Sequence, residues 1–228
     1  MIKRFFDIVF SSLALLILAP VLVPVIIILR FSGEGEVFYR QERLGFKNKP
    51  FYITKFATML KDSPNMGTGE YTLRNDPRVL PMGRFLRKSK INEFPQFWDI
   101  FIGNMSFVGP RPQMIKVHES YPKEYEEVLA AVKPGLTGVA SIIFRDEESI
   151  MSRAKNHALT FTRELIPYKA ELESWYKNKQ SFFGDIQLML ITAWVIVKPE
   201  SDIIFKIFPS IPYKDKASFG QITLEQQD

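Results

Sequence analysis

The chain has 228 residues, a formal charge of +5 and no cysteine, with a pI near 9.3. That length suffices for a real core and shows no internal repeat, while the missing cysteines exclude a disulfide framework and a thiolate metal site. The positive balance suits nucleic acid or an anionic membrane equally and does not choose between them.

The N-terminal segment chooses the membrane. Ile8 to Leu29 runs for about 22 residues without a charge, long enough to cross a bilayer core. Lys3 and Arg4 precede it, and Arg30, Arg40, Arg43, Lys47 and Lys49 follow it, so the positive-inside rule asks for both ends in the cytoplasm. Pro20 and Pro24 each remove an intrahelical donor and bend the helix. A helix that bends at Pro20 and returns to its own side satisfies both flanks, which predicts a re-entrant helical hairpin over residues 1–30. A straight span and a secretory signal are the competing readings. The second is disfavoured by the length of the run and by the lack of a small-residue cleavage site.

Gly33 and Gly35 mark a turn out of the membrane. Val37-Phe38-Tyr39 and Phe51-Tyr52-Ile53-Thr54, separated by a polar loop with Gly45, predict a small β-hairpin. Lys61 to Tyr71 reads as a flexible loop and Asn75-Asp76-Pro77-Arg78 as a turn. Met82 to Lys90 reads as a basic helix whose Arg84, Arg87, Lys88 and Lys90 form either a solvated face or a phosphate-facing one.

Phe94, Phe97, Trp98 and Phe101 recur at helical spacing and predict a short helix with an aromatic side from about Asn92 to Phe101. Asn92 is the expected N-cap, and Pro95 is tolerated in a first turn whose amides lack intrahelical partners. Glu93 then lies near the positive helix end, which favours a carboxylate or a phosphate held through a metal. Downstream, Pro110 and Pro112 bracket Arg111 and restrict its backbone. A guanidinium so held is a ready phosphate fork. Spacing alone also allows a merely capped helix and a rigid solvent-facing loop.

Met114 to Val132 predicts a helix with a charged face around Glu119, Glu124 and Glu126, on which His118 is read as a surface residue. Lys133 to Gly138 reads as a two-glycine turn. Arg145 to Ser149 opens another helix, with acidic residues suited to a first turn. Ser149 to Gln180 is helical in pattern and broken by Pro167. Ser181 to Lys198 is a largely apolar helix that suits an interfacial position better than a crossing. Trp175, Tyr176 and Trp194 are expected at headgroup level. Residues 199–228 form a tail without a motif.

The central stretch resembles the signature of the bacterial sugar transferases, the small monotopic polyprenol-phosphate phosphoglycosyl transferases. That signature runs close to L-R-x-x-x-L/I-D-E-x-P-Q-x-x-N-V/I-x-x-G-x-M-S-x-V-G-P-R-P. The matching residues are Leu86-Arg87, Ile91, Glu93, Pro95-Gln96, Gly103, Met105-Ser106 and Val108-Gly109-Pro110-Arg111-Pro112. Gln41, Arg43, Gly45, Phe51, Ile53, Lys55-Phe56, Thr58-Met59, Asn75 to Arg78 and Lys133 to Gly138 extend the likeness. It covers most of the chain to about Lys198 and is strongest from Val37 to Gly138. Among the departures, Asn92 stands for the aspartate read as nucleophile, Ala57 for a basic residue, and Ala19 for the serine of a Ser-Pro kink.

The resemblance implies a mainly helical α+β monotopic membrane protein. Its parts are a re-entrant hairpin (1–30), a catalytic region with a small β-hairpin and interfacial amphipathic helices (31–198), and a tail (199–228). The implied reaction moves a sugar 1-phosphate from a UDP-sugar to polyprenyl (undecaprenyl) phosphate, releasing UMP, with Mg²⁺ as cofactor. The setting is the cytoplasmic face of the bacterial inner membrane, in contact with lipids, without nucleic acid and with homo-oligomers allowed. By the same resemblance Glu93 is a catalytic residue and metal ligand, and Asn92 occupies the nucleophile position. Lys55 and Arg87 lie near phosphates, and Pro110, Arg111 and Pro112 hold the nucleotide. A neutral amide is a very poor nucleophile, so the alternative is an inactive, membrane-anchored nucleotide-sugar-binding or partner-binding member.

Overall fold

The computed structural model describes residues 2–67, 75–115 and 121–221. The chain divides into two compact units. The first comprises residues 1–43 and 50–105, the second 44–49 and 106–228.

The first unit begins with α1, Ile2–Arg30, one helix of 29 residues that runs through Pro20 and Pro24. The helical run is continuous through Pro20, where a bend is expected. Most of α1 is exposed apolar surface, and by length and composition it can cross a membrane. Its buried residues are few. Val25 and Leu29 pack with Phe56 and Leu86 in a core that also gathers Val37, Met82 and Ile91. At the other end, Arg4 donates to the carbonyls of Ile100 and Phe101, each at 2.6 Å.

Strands β1, Phe38–Leu44, and β2, Pro50–Phe56, form a two-stranded sheet, longer on both arms than the β-branched and aromatic clusters alone suggested. Lys47 and Asn48 turn the chain between them with φ of 59° and 54°. Helix α2, Pro81–Lys88, starts on a proline whose missing N–H has no intrahelical partner to lose. In the expected turn before it, Asp76 and Arg78 form a buried bidentate pair, with Nε–Oδ1 at 2.9 Å and Nη2–Oδ2 at 2.6 Å. Arg78 Nη1 also donates to the Ser63 and Met66 carbonyls, so this turn clamps the start of the loop beyond Lys61.

One expectation fails at the motif. Asn92 is not an N-cap: Ile91–Glu93 is a separate 3-10 turn, entered through Lys90 at φ 61°. Helix α3, Gln96–Ile102, begins after Pro95. Glu93 therefore lies outside the first turn of α3, and helix-end electrostatics do not explain it.

In the second unit, β3, Ser106–Val108, pairs in parallel with β4, Gly135–Thr137, in the register Ser106 to Gly135 and Val108 to Thr137. The expected two-glycine turn is thus a strand. Gly135 is needed for closeness, since a Cβ there would stand 2.1 Å from the Gly109 nitrogen. Between these strands lies α4, Lys123–Ala131, shorter than the expected helix. His118 and Glu119 lie outside the described residues, as does the side chain of Glu124.

After the short helices α5, Val139–Ile143, and α6, Glu147–Arg153, come α7, His157–Leu159, a π-helical segment, Thr160–Leu165, and α8, Ile166–Lys179. Pro167 does not break this run, because the widened turn before it accommodates the proline ring and its missing donor.

Helix α9, Phe182–Val197, is capped by the Ser181 hydroxyl, which accepts from the Gly184 N–H. It exposes Phe183, Leu190, Trp194 and Val197. Tyr176, expected at headgroup level, is instead core. Its hydroxyl donates to Asp185 Oδ1 at 2.7 Å and lies 3.2 Å from the Val108 carbonyl oxygen. The tail packs too: Ile204 of α10, Ile203–Ile207, is buried with Ile211 and Phe219, and Phe219 stacks on Tyr168.

Candidate functional site

The site residues of the first unit converge from two segments distant in sequence. Lys55 is on β2 and Glu93 in the 3-10 turn, and Lys55 Nζ lies 3.5 Å from Glu93 Oε1, with both side chains largely buried. Asn92 beside them is buried, and its Oδ1 has no hydrogen-bond partner. Leaving a buried acceptor unpaired costs about 1–3 kcal/mol, so it is available to a donor brought by a ligand or water. Arg87, on α2, is half-buried and donates through Nη1 toward Met59 Sδ at 3.9 Å. Ala57, the position without its basic residue, is itself buried.

The aromatic side of α3 is not its most buried one. The buried positions are Gln96, Asp99 and Ile100, whereas Trp98 is half exposed. The polar residues face inward. Asp99 Oδ2 accepts the Thr54 N–H at 2.9 Å and Oδ1 accepts the Thr54 hydroxyl at 3.4 Å. Burial pushes the Asp99 carboxyl up to about 6, against the two Thr54 bonds and the field of Arg40, which lower it. Gln96 Nε2 is buried without a partner. Sequence reading missed Asp99 and Thr54. The signal was available, because the family signature has asparagine where Asp99 stands.

The proline-bracketed arginine belongs to the second unit. Its backbone is pinned on both sides: Gly135 donates to the Pro110 carbonyl at 2.8 Å, and Leu44 donates to the Gln113 carbonyl at 3.0 Å. Gln113 Nε2 also donates to the Arg111 carbonyl at 2.9 Å. A shallow cleft lies here between the hairpin tip (Leu44, Gly45, Asn48) and Pro110, Arg111 and Pro112, floored by Leu129 and Pro134. The Arg111 side chain is exposed at its edge, so a planar fork is presented from a backbone with little freedom left.

No group of three or more His, Cys, Asp or Glu side chains that could hold a metal occurs among the described residues. An all-protein cage is therefore not available from them. A hard cation would then depend on waters or on phosphate oxygens of a substrate for most of its ligands.

A family model for bacterial sugar transferase matches residues 1–199. The chain is 34% identical over 197 residues to the UDP-glucose:undecaprenyl-phosphate glucose-1-phosphate transferase of Escherichia coli (strain K12), over 85% of this chain and 40% of that protein. It is 33% identical over 195 residues to the undecaprenyl-phosphate glucose phosphotransferase of Komagataeibacter xylinus, over 83% of this chain and 35% of that one. It is 29% identical over 211 residues to the UDP-galactose-lipid carrier transferase of Erwinia amylovora, over 86% and 40%. The chain thus spans 35 to 40% of the length of these relatives.

Proposed function

We propose, because this chain belongs to the bacterial sugar transferase family, that it transfers a sugar 1-phosphate from a UDP-sugar to polyprenyl phosphate and releases UMP. The observation that carries this reading is the convergence of Lys55 and Glu93, from two separate motif segments, beside a buried Asn92 with an unpaired oxygen. The relatives' names support a hexose 1-phosphate as the group moved and undecaprenyl phosphate as the acceptor.

A phosphate oxygen of the lipid forms a new bond to the β-phosphorus of the UDP-sugar. The bond from that phosphorus to the bridging oxygen breaks, and UMP departs with the electron pair. Asn92 cannot serve as a carboxylate nucleophile. Glu93 is engaged by the Lys55 ammonium, which lowers its tendency to attack and favours direct displacement by the lipid. Such a transfer depends mainly on charge neutralisation and alignment. Lys55 and Arg87 supply positive charge to phosphate oxygens, and Arg111 between Pro110 and Pro112 holds the nucleotide. Glu93 is the residue that would hold Mg²⁺, which when bound neutralises diphosphate charge.

The same reading makes the protein monotopic, on the cytoplasmic face of the bacterial inner membrane. A straight helix of 29 residues would span roughly 43 Å at about 1.5 Å per residue. Yet Arg4 near one end and Val25 and Leu29 near the other are both held by the first unit, which supports a bent, re-entrant course. The exposed apolar face of α9, with Lys198 over the Trp194 ring at 4.8 Å, supports an interfacial position.

The test is UMP release from a panel of UDP-sugars with undecaprenyl phosphate and Mg²⁺. Lipid-dependent release with one hexose donor is expected. UDP-sugar binding without release would favour the inactive, binding-protein alternative that Asn92 raises.

A further inference from the structure

We infer that Asp99 is a positioning residue: through Thr54 it fixes the strand that carries Lys55 and so sets the Lys55 ammonium against Glu93. The inference rests on the transfer reading only for its effect on turnover, not for the placement of Lys55.

Four residues close a circuit. Glu93 and Asp99 lie on either side of the start of α3. Asp99 binds both the main-chain N–H and the hydroxyl of Thr54. Thr54 directly precedes Lys55 in β2, and Lys55 returns to Glu93 at 3.5 Å. That last link is long for a charge-assisted hydrogen bond, which is usually about 2.7–2.9 Å. The register of β2 sets where the Lys55 side chain leaves the backbone and so how it reaches Glu93. The link that ties β2 to the helix bearing Gln96 is the Asp99 carboxylate, 2% exposed.

A carboxylate is a demanding choice for this task, because burying it costs more than burying an amide or a hydroxyl. What it adds is a second acceptor: it takes both donors of one residue, whereas an asparagine offers one carbonyl oxygen. Main chain and side chain of Thr54 are then both tied. The charged groups around it are Arg40 of β1, which favours its ionised form, and the Lys55 and Glu93 pair at the far side of the circuit.

The test uses the full chain in detergent or nanodiscs and reads Lys55 directly. The rate at which an amine-acylating reagent modifies Lys55 is followed by mass spectrometry against exposed Lys88. Asp99→Ala is expected to raise Lys55 labelling about fivefold, Asp99→Asn by less than half of that, and Thr54→Val hardly at all, since only its 3.4 Å bond is lost. In the UMP-release assay, Asp99→Ala should lower kcat about tenfold with KM for the UDP-sugar changed less than about threefold. Lys55→Met with Asp99→Ala should be no slower than Lys55→Met alone. Unchanged Lys55 labelling in folded Asp99→Ala, or additive losses in the double variant, overturns the inference. Should Asp99→Ala not fold, the nearly isosteric Asp99→Asn decides by the same labelling, and wild-type values there overturn it. If labelling responds as expected while wild type releases no UMP with any donor, the transfer reading falls and the positioning role stands.

Discussion

Arg4 and Gly103 meet at the C-terminal end of α3. Gly103 has φ of 96° and a Cβ there would stand 3.1 Å from Arg4 Nη2, while the same guanidinium donates to the Ile100 and Phe101 carbonyls. The first turn of the apolar helix thus caps the helix that follows the Asn92–Glu93 turn. Arg4→Ala is expected to cost about 1.5–3 kcal/mol, the range for hydrogen bonds to a charged group. Arg4→Lys should recover only part of it, because one ammonium nitrogen replaces two guanidinium nitrogens that each reach a different carbonyl. Denaturant unfolding of the detergent-solubilised protein checks both, and equal stability of Arg4→Ala and wild type would contradict the capping role.

Gly135→Ala tests the parallel β3–β4 pair. Its methyl would collide with the Gly109 backbone, and no flexible side chain is there to yield. A loss of about 3 kcal/mol or more is expected, together with faster proteolysis near Pro110 as the loop carrying Arg111 is released. A wild-type proteolysis pattern would mean that the strands can separate without consequence for that loop.

Asp99 predicts a pH signature. Its carboxyl is raised from an ordinary 3.8 to about 6 by burial, so over that window the native state keeps a proton that the unfolded chain has released. The contribution of Asp99 to stability therefore falls as pH rises from about 4 to 6 and levels off above. Asp99→Asn lacks this titration. Its stability relative to wild type should rise across the window by on the order of 3 kcal/mol, measured by paired denaturant unfolding from about pH 4 to 7. A difference that stays flat with pH would show that Asp99 titrates normally.

Arg111→Lys should weaken UDP-sugar binding by about 1.5–3 kcal/mol, because a point charge replaces a planar fork on a pinned backbone. Calorimetric titration with the UDP-sugar that supports turnover measures it. Unchanged affinity in Arg111→Ala would place the nucleotide elsewhere.

Much of the architecture was legible where residue type and period agree. The apolar run of α1, the aromatic arms around Gly45 and the Ser181-capped α9 all carry local signals strong enough to read. The parallel pair β3–β4 was not, since three-residue strands have no period and Gly135, needed for a close backbone approach, looks in sequence like a turn glycine. Asn92 misled for a related reason: it is a good N-cap residue type, but Lys90 in left-handed conformation starts a separate turn. The aromatic spacing of α3 marked a helix but not the side it buries, which is that of Gln96 and Asp99, with Trp98 half exposed. Tyr176 was misplaced because its partners Val108 and Asp185 are tertiary, and Asp99 was overlooked because its partner Thr54 lies 45 residues away.

Under the proposed function the chain transfers sugar phosphate with an amide at position 92. The most direct measurement incubates wild type and Asn92→Asp with a radiolabelled UDP-sugar and Mg²⁺, with and without undecaprenyl phosphate, and follows both UMP and protein-bound label. Direct displacement predicts UMP from wild type only when the lipid is present and no label on the protein, with Asn92→Asp gaining a phosphosugar adduct at residue 92. A lipid-independent adduct on Glu93 of wild type would replace direct displacement by covalent catalysis from that residue. No UMP from wild type with any donor, alongside release by Asn92→Asp, would contradict transfer by this chain and leave a nucleotide-sugar-binding protein.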